Sequence, residues 1–106
     1  MLRTERERRE VYRVAWNTWG MEAQTWMVVE EAAELILAIC KLHRAIDRTG
    51  VEDLIEEIAD VRVMLEQTET ILGDDIPVRV EEVMEEKLIR LEQRIRDAKT
   101  IGRVSV

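Results

Sequence analysis

Only four glycines and one proline interrupt 106 residues, less than half the ordinary share of about 12% for the two together. β-sandwiches and barrels need a turn every few residues, and those turns draw on glycine for positive φ and on proline for a preset φ. A chain this poor in both is expected to fold as long helices. Charged residues make up 37% and apolar ones 46%, too much apolar content for a disordered chain, so the pattern predicts amphipathic helices around an aliphatic core. Phe is absent, and three Trp and one Tyr are the only aromatics.

The few breakers predict four helices. Thr4 is a candidate N-cap for a helix over 4–18 that ends near Trp19-Gly20. A second helix is expected over 22–48, closed by Thr49-Gly50, and a third over 52–72, stopped by Gly73-Asp74-Asp75. Pro77 suits the first turn of a fourth helix running to about Lys99, with 100–106 as a tail. Short links between successive helices suggest antiparallel neighbours, so the expectation is a single all-α domain over 1–106, a four-helix bundle-like subunit with its core over about 11–95. Helices this long on a chain this short leave apolar faces uncovered, which predicts a homodimer or homotetramer.

Cys40 is the one cysteine and His43 the one histidine, which rules out an internal disulfide and a Cys/His zinc set. No run of about 18 apolar residues is present to span a membrane, and the charged start MLRTERERRE lacks a signal peptide's apolar stretch. A soluble, cytoplasmic chain is expected. The net charge is −7, and it is unevenly spread. Residues 1–13 carry five Arg against three Glu, and residues 87–106 carry six Lys/Arg against two acids. The middle is therefore strongly acidic and repels a phosphate backbone, which argues against a general nucleic-acid partner.

Glu is so frequent that E-x-x-E spacing alone says little; helical position decides. At 100° per residue, Gln24, Val28, Glu31, Leu35, Ala38 and Leu42 fall along one line, so Glu31 sits inside an apolar stripe with Glu34 at its border. On the third helix Leu54, Ile58, Val61, Leu65 and Leu72 form the stripe, with Glu57 and Asp60 one turn apart on its flank. Glu82 and Glu85 lie off the fourth helix's stripe and read as solvated surface. Carboxylates on a core-facing line are costly unless a cation compensates them. Two compensations are open. Lys87 and Arg94, within the fourth helix's stripe, and Arg90 at its edge would make a structural ion network, as in a non-catalytic interaction protein. A hard divalent cation, Mg²⁺ or alternatively Mn²⁺, would suit an all-oxygen site with no imidazole or thiolate nearby.

Glu30-Glu31-Ala32-Ala33-Glu34-Leu35 followed by Glu57-Ile58-Ala59-Asp60-Val61 resembles the E-x-x-E and E-x-x-D signature of the MazG-like all-α nucleoside triphosphate pyrophosphohydrolases, the superfamily related to dimeric dUTPases. Trp19-Gly20, Gln24, Lys87-Leu88 and Arg90-Leu91 resemble its small single-domain members, and the likeness covers roughly residues 11–95. The resemblance implies an enzyme that hydrolyses a nucleoside triphosphate at the α–β linkage, with Glu31, Glu34, Glu57 and Asp60 binding Mg²⁺. It implies Glu30 as a candidate base, Lys87, Arg90 and Arg94 as phosphate contacts, Trp16 and Trp19 as aromatics against the nucleotide base, and Gln24 as a substrate hydrogen-bonder. Trp26, turned away from the Gln24 line, is expected at an oligomer contact.

Overall fold

A computed structural model of the chain describes residues 1–100; the expected tail beyond Thr100 lies outside them. Every element among the described residues is helical: α1 (Glu5–Arg44), α2 (Arg48–Leu72) and α3 (Ile76–Thr100). The all-α expectation therefore holds, with three helices instead of four. Residues 1–74, which contain α1 and α2, form one compact unit, and the described residues from Asp75 to Thr100 belong to another.

The difference in helix number comes from Gly20. The two helices expected over 4–18 and 22–48 join into α1, whose hydrogen-bonded run is interrupted at that one residue by φ 85°, ψ 167°, a backbone region essentially confined to glycine. No loop separates the two halves, yet the chain changes direction there. Gln24 pairs with Gln67, and at that register a straight helix would carry Arg8 past the end of α2. Instead Arg8 binds Glu66 at 2.6 Å, and Val11, Tyr12 and Val63 line a common hollow. The N-terminal half of α1 thus folds back over the C-terminal half of α2.

Local signals set the ends. Thr4 caps α1 in a reciprocal box, with Glu7 N–H donating to its hydroxyl at 3.2 Å and its own N–H donating to Glu7 Oε1 at 2.9 Å. Thr49-Gly50, expected as a stop, belongs to the opening turn of α2. α1 ends earlier, at Arg44, and Asp47 caps α2 by accepting the Gly50 N–H at 2.7 Å. Here the side-chain acceptor outweighs glycine's tendency to terminate, because it satisfies an amide that the first turn leaves unpaired. Gly73 closes α2 as expected, at φ 153°. In the second unit Pro77 stands in the first turn of α3, where its missing N–H costs nothing, and Asp75 C=O accepts from Arg79 N–H.

The Gln24, Val28, Glu31, Leu35, Ala38, Leu42 line faces inward along its length: Gln24 and Ala38 are buried and the other four half-buried. On α2 the inward line is rotated from the expected one. Leu54 and Val61 are half-buried, but Ile58, Leu65 and Leu72 are exposed, and Glu57, Met64, Gln67 and Thr70 turn inward. Apolar periodicity misplaces this face because its inward residues are largely polar. Apolar burial is correspondingly small, with Tyr12, Ala38 and Met64 as the buried hydrophobic residues, while Trp19, Trp26, Ile36 and Leu37 stand more than half exposed.

Candidate metal centre

α1 and α2 run antiparallel in a regular register. The step of seven residues from Gln24 to Glu31 is matched by seven from Gln67 back to Asp60, and the three from Glu31 to Glu34 by three from Asp60 back to Glu57. Two turns away from the Gln24–Gln67 hydrogen bond, whose length is 2.6 Å, Glu31 and Glu34 therefore meet Glu57 and Asp60. One carboxylate oxygen from each of the four lies within 4.8 Å of the others. Glu31 and Glu57 are half-buried, Glu34 and Asp60 exposed.

Such an array strains against its own charge. Burial, and after it the negative charges of Asp60, Glu34 and Glu57, push the Glu31 carboxyl above its ordinary range. Burial, followed by Glu34 and Asp60, does the same to Glu57. Glu31 Oε2 and Glu57 Oε2 are shut off from solvent without a hydrogen-bond partner. The ion pairs among the described residues engage Glu5, Glu10, Glu66 and Asp74 and none of these four acids. Two buried, partnerless oxygens within an all-carboxylate donor set fit a hard divalent cation, which carboxylates and water ligate in preference to softer groups.

The other sequence-selected residues fall in distinct places. Glu30 precedes the cluster on α1 and is exposed. Gln24 is 7% exposed and its Oε1 accepts from Gln67 Nε2, so that acceptor is occupied within the fold. Trp16 is half-buried, and Trp19 beside the Gly20 bend is exposed. Lys87, Arg90 and Arg94 lie along one side of α3, in the other unit, all three exposed. Sequence reasoning did not single out Lys41, and it marked Gly50 only as a helix stop. Both line a cavity of about 350 Å³ shared with Glu34 and Glu57, and Lys41 was legible as the residue two turns beyond Glu34 on the same helix line. No protein-family model matches the chain, and no curated protein or solved structure matches it.

Proposed function

We propose that the chain is a Mg²⁺-dependent nucleoside triphosphate pyrophosphohydrolase of the MazG-like kind, cleaving between the α and β phosphates to give a nucleoside monophosphate and pyrophosphate. The observation that supports this reading most is the convergence of Glu31, Glu34, Glu57 and Asp60 with two buried carboxylate oxygens left partnerless. These four would hold the cation. When bound, Mg²⁺ (or Mn²⁺) neutralises phosphate charge and acidifies a water.

The protein's own residues do the rest. The antiparallel register holds the four carboxylates on two rigid helices, so the site needs little rearrangement to receive a cation and the phosphates that accompany it. Glu30, exposed beside the cluster, accepts the proton of the attacking water at its carboxylate. The resemblance assigns phosphate contacts to Lys87, Arg90 and Arg94, and within the first unit Trp16 and Trp19 are its candidates for aromatic faces against the base. A homodimer or homotetramer would cover the exposed Trp26, Ile36 and Leu37, and no helix among the described residues is long and apolar enough to cross a membrane, in keeping with a cytoplasmic enzyme.

The test is a panel of nucleoside triphosphates assayed for pyrophosphate release. Release is expected with Mg²⁺, is abolished by EDTA, and falls by at least a hundredfold in folded Glu31→Gln and Glu57→Gln variants. Unchanged activity in both variants would refute the mechanism.

A further inference from the structure

Beyond the Gly20 bend, α1 is apolar on two opposite sides. The line from Gln24 to Leu42 turns inward against α2. Nearly opposite it, Trp26, Val29, Ala33, Ile36 and Cys40 fall within about 50° of a second line, which Glu22 and Arg44 close at its two ends. All of these are exposed, with Trp26, Val29 and Ile36 at 61%, 54% and 63%. A surface helix carries one apolar stripe, and a helix with a second stripe on its far side is built to be covered on both. At its N-terminal end this outer face stops at the Gly20 bend, where the preceding half of α1 departs over α2 and leaves the outer side open.

The outer face reads almost alike from either end. Its midpoint is Ala33. Trp26 and Cys40 stand seven residues to either side of it, Val29 and Ile36 four and three, and Glu22 and Arg44 eleven. Two copies laid antiparallel about Ala33 therefore set each Trp26 indole against the small Cys40 of the other copy and each Val29 against Ile36. At both ends a Glu22 carboxylate meets an Arg44 guanidinium, every contact being made twice by symmetry. Laid parallel, Glu22 would face its own copy, and so would Arg44. Among the described residues neither has an ion pair within the chain, and Arg44 Nε donates along this face to the Cys40 carbonyl at 3.5 Å. Ala33 at the crossing point lets the two axes approach to the roughly 8–10 Å of packed helices.

We propose that the outer face of α1 from Glu22 to Arg44 docks a second copy of the chain, helix against antiparallel helix about a two-fold axis at Ala33, closed at each end by a Glu22–Arg44 ion pair. Because α2 lies on the opposite side of α1, each copy keeps its own carboxylate cluster away from the joint. The proposal says how the association is built and does not depend on the enzymatic reading.

Cys40, the one cysteine, makes the orientation measurable. In the antiparallel pair it stands about 20 Å along the axis from its own copy, so oxidation of the unsubstituted protein with copper–phenanthroline should give no linked dimer. Trp26→Cys should give one, through Cys40 of the other copy, and Trp26→Cys combined with Cys40→Ser should give none. Sedimentation equilibrium reads the ion pairs. Glu22→Arg and Arg44→Glu should each weaken association by about tenfold or more, since each breaks two pairs and sets like charges together, and the charge-swapped double variant should recover most of the loss. Both substitutions also oppose the helix dipole, but that effect adds in the double variant, so recovery reports the contact between copies. Linked dimer in the unsubstituted protein, none in Trp26→Cys, no recovery in the double variant, or a monomer throughout would overturn the proposal. Absence of triphosphate hydrolysis in a protein showing the expected pattern would remove the enzymatic reading and leave this interface standing; hydrolysis by a monomer would do the reverse.

Discussion

The Gln24–Gln67 hydrogen bond lies in the same register as the four carboxylates, two turns away, and its replacement by leucines gives a quantitative test of what it contributes to joining α1 and α2. Gln67 is 3% exposed, Gln24 7%, and their bond is 2.6 Å long. Gln67→Leu leaves the Gln24 Oε1 buried without its donor, and Gln24→Leu strands the Gln67 amide. An unsatisfied buried polar group costs about 1–3 kcal/mol, so each single substitution should destabilise by about 2 kcal/mol. For a domain of this size that is a fall in melting temperature of roughly 8–16 °C. The double leucine variant removes both polar groups, exchanges them for apolar contact, and should return to within about 1 kcal/mol of the original stability. Urea unfolding at one fixed protein concentration, which holds any association constant, yields all four corners of the cycle. A double variant whose loss equals the sum of the single losses would show that the two amides do not interact, and would refute the register argument.

Two further outcomes follow from the same geometry. In metal-free protein the raised carboxyls of Glu31 and Glu57 mean that the folded state holds protons more tightly than the unfolded one. Stability from these groups is therefore present at acid pH and is lost as pH rises from their ordinary value of 4.5 through their raised folded values. Glu31→Gln should flatten that fall in a melting-temperature series against pH, and an unaltered slope would contradict the assigned causes. At Gly20 a Cβ meets nothing within 4 Å, so Gly20→Ala is penalised by its positive φ alone. About 1–3 kcal/mol of lost stability is expected in urea unfolding, whereas a neutral substitution would contradict the bend.

The α1 half of the site was readable in the sequence because Glu31 and Glu34 sit among Val28, Leu35, Ala38 and Leu42, residues whose spacing marks the buried face unambiguously. The α2 half was only partly so. Glu57 and Asp60 stood on the flank of an apparent Ile58–Leu65–Leu72 line, and that line is exposed, since the true inward face carries Gln67 and Thr70, which no apolar pattern reveals. Thr49-Gly50 misled because glycine marks both helix ends and tight first turns, and only Asp47's side chain decides between them. The bend at Gly20 was legible as a boundary, but a sequence does not show that one residue suffices to make it. Lys41 went unnoticed because, although it follows Glu34 on the same helix line, the cavity it shares with Glu57 exists only once α1 and α2 are paired.

Whether the four carboxylates form a cation site is tested most directly by titrating metal-free protein with Mg²⁺ at neutral pH. Saturable binding is expected, and it should weaken as pH falls and protons, for which Glu31 and Glu57 have a raised affinity, compete for the cation's place. It should be accompanied by a rise in melting temperature that is lost in Glu31→Gln. Absence of saturable binding, or an equal rise in melting temperature in that variant, would contradict it.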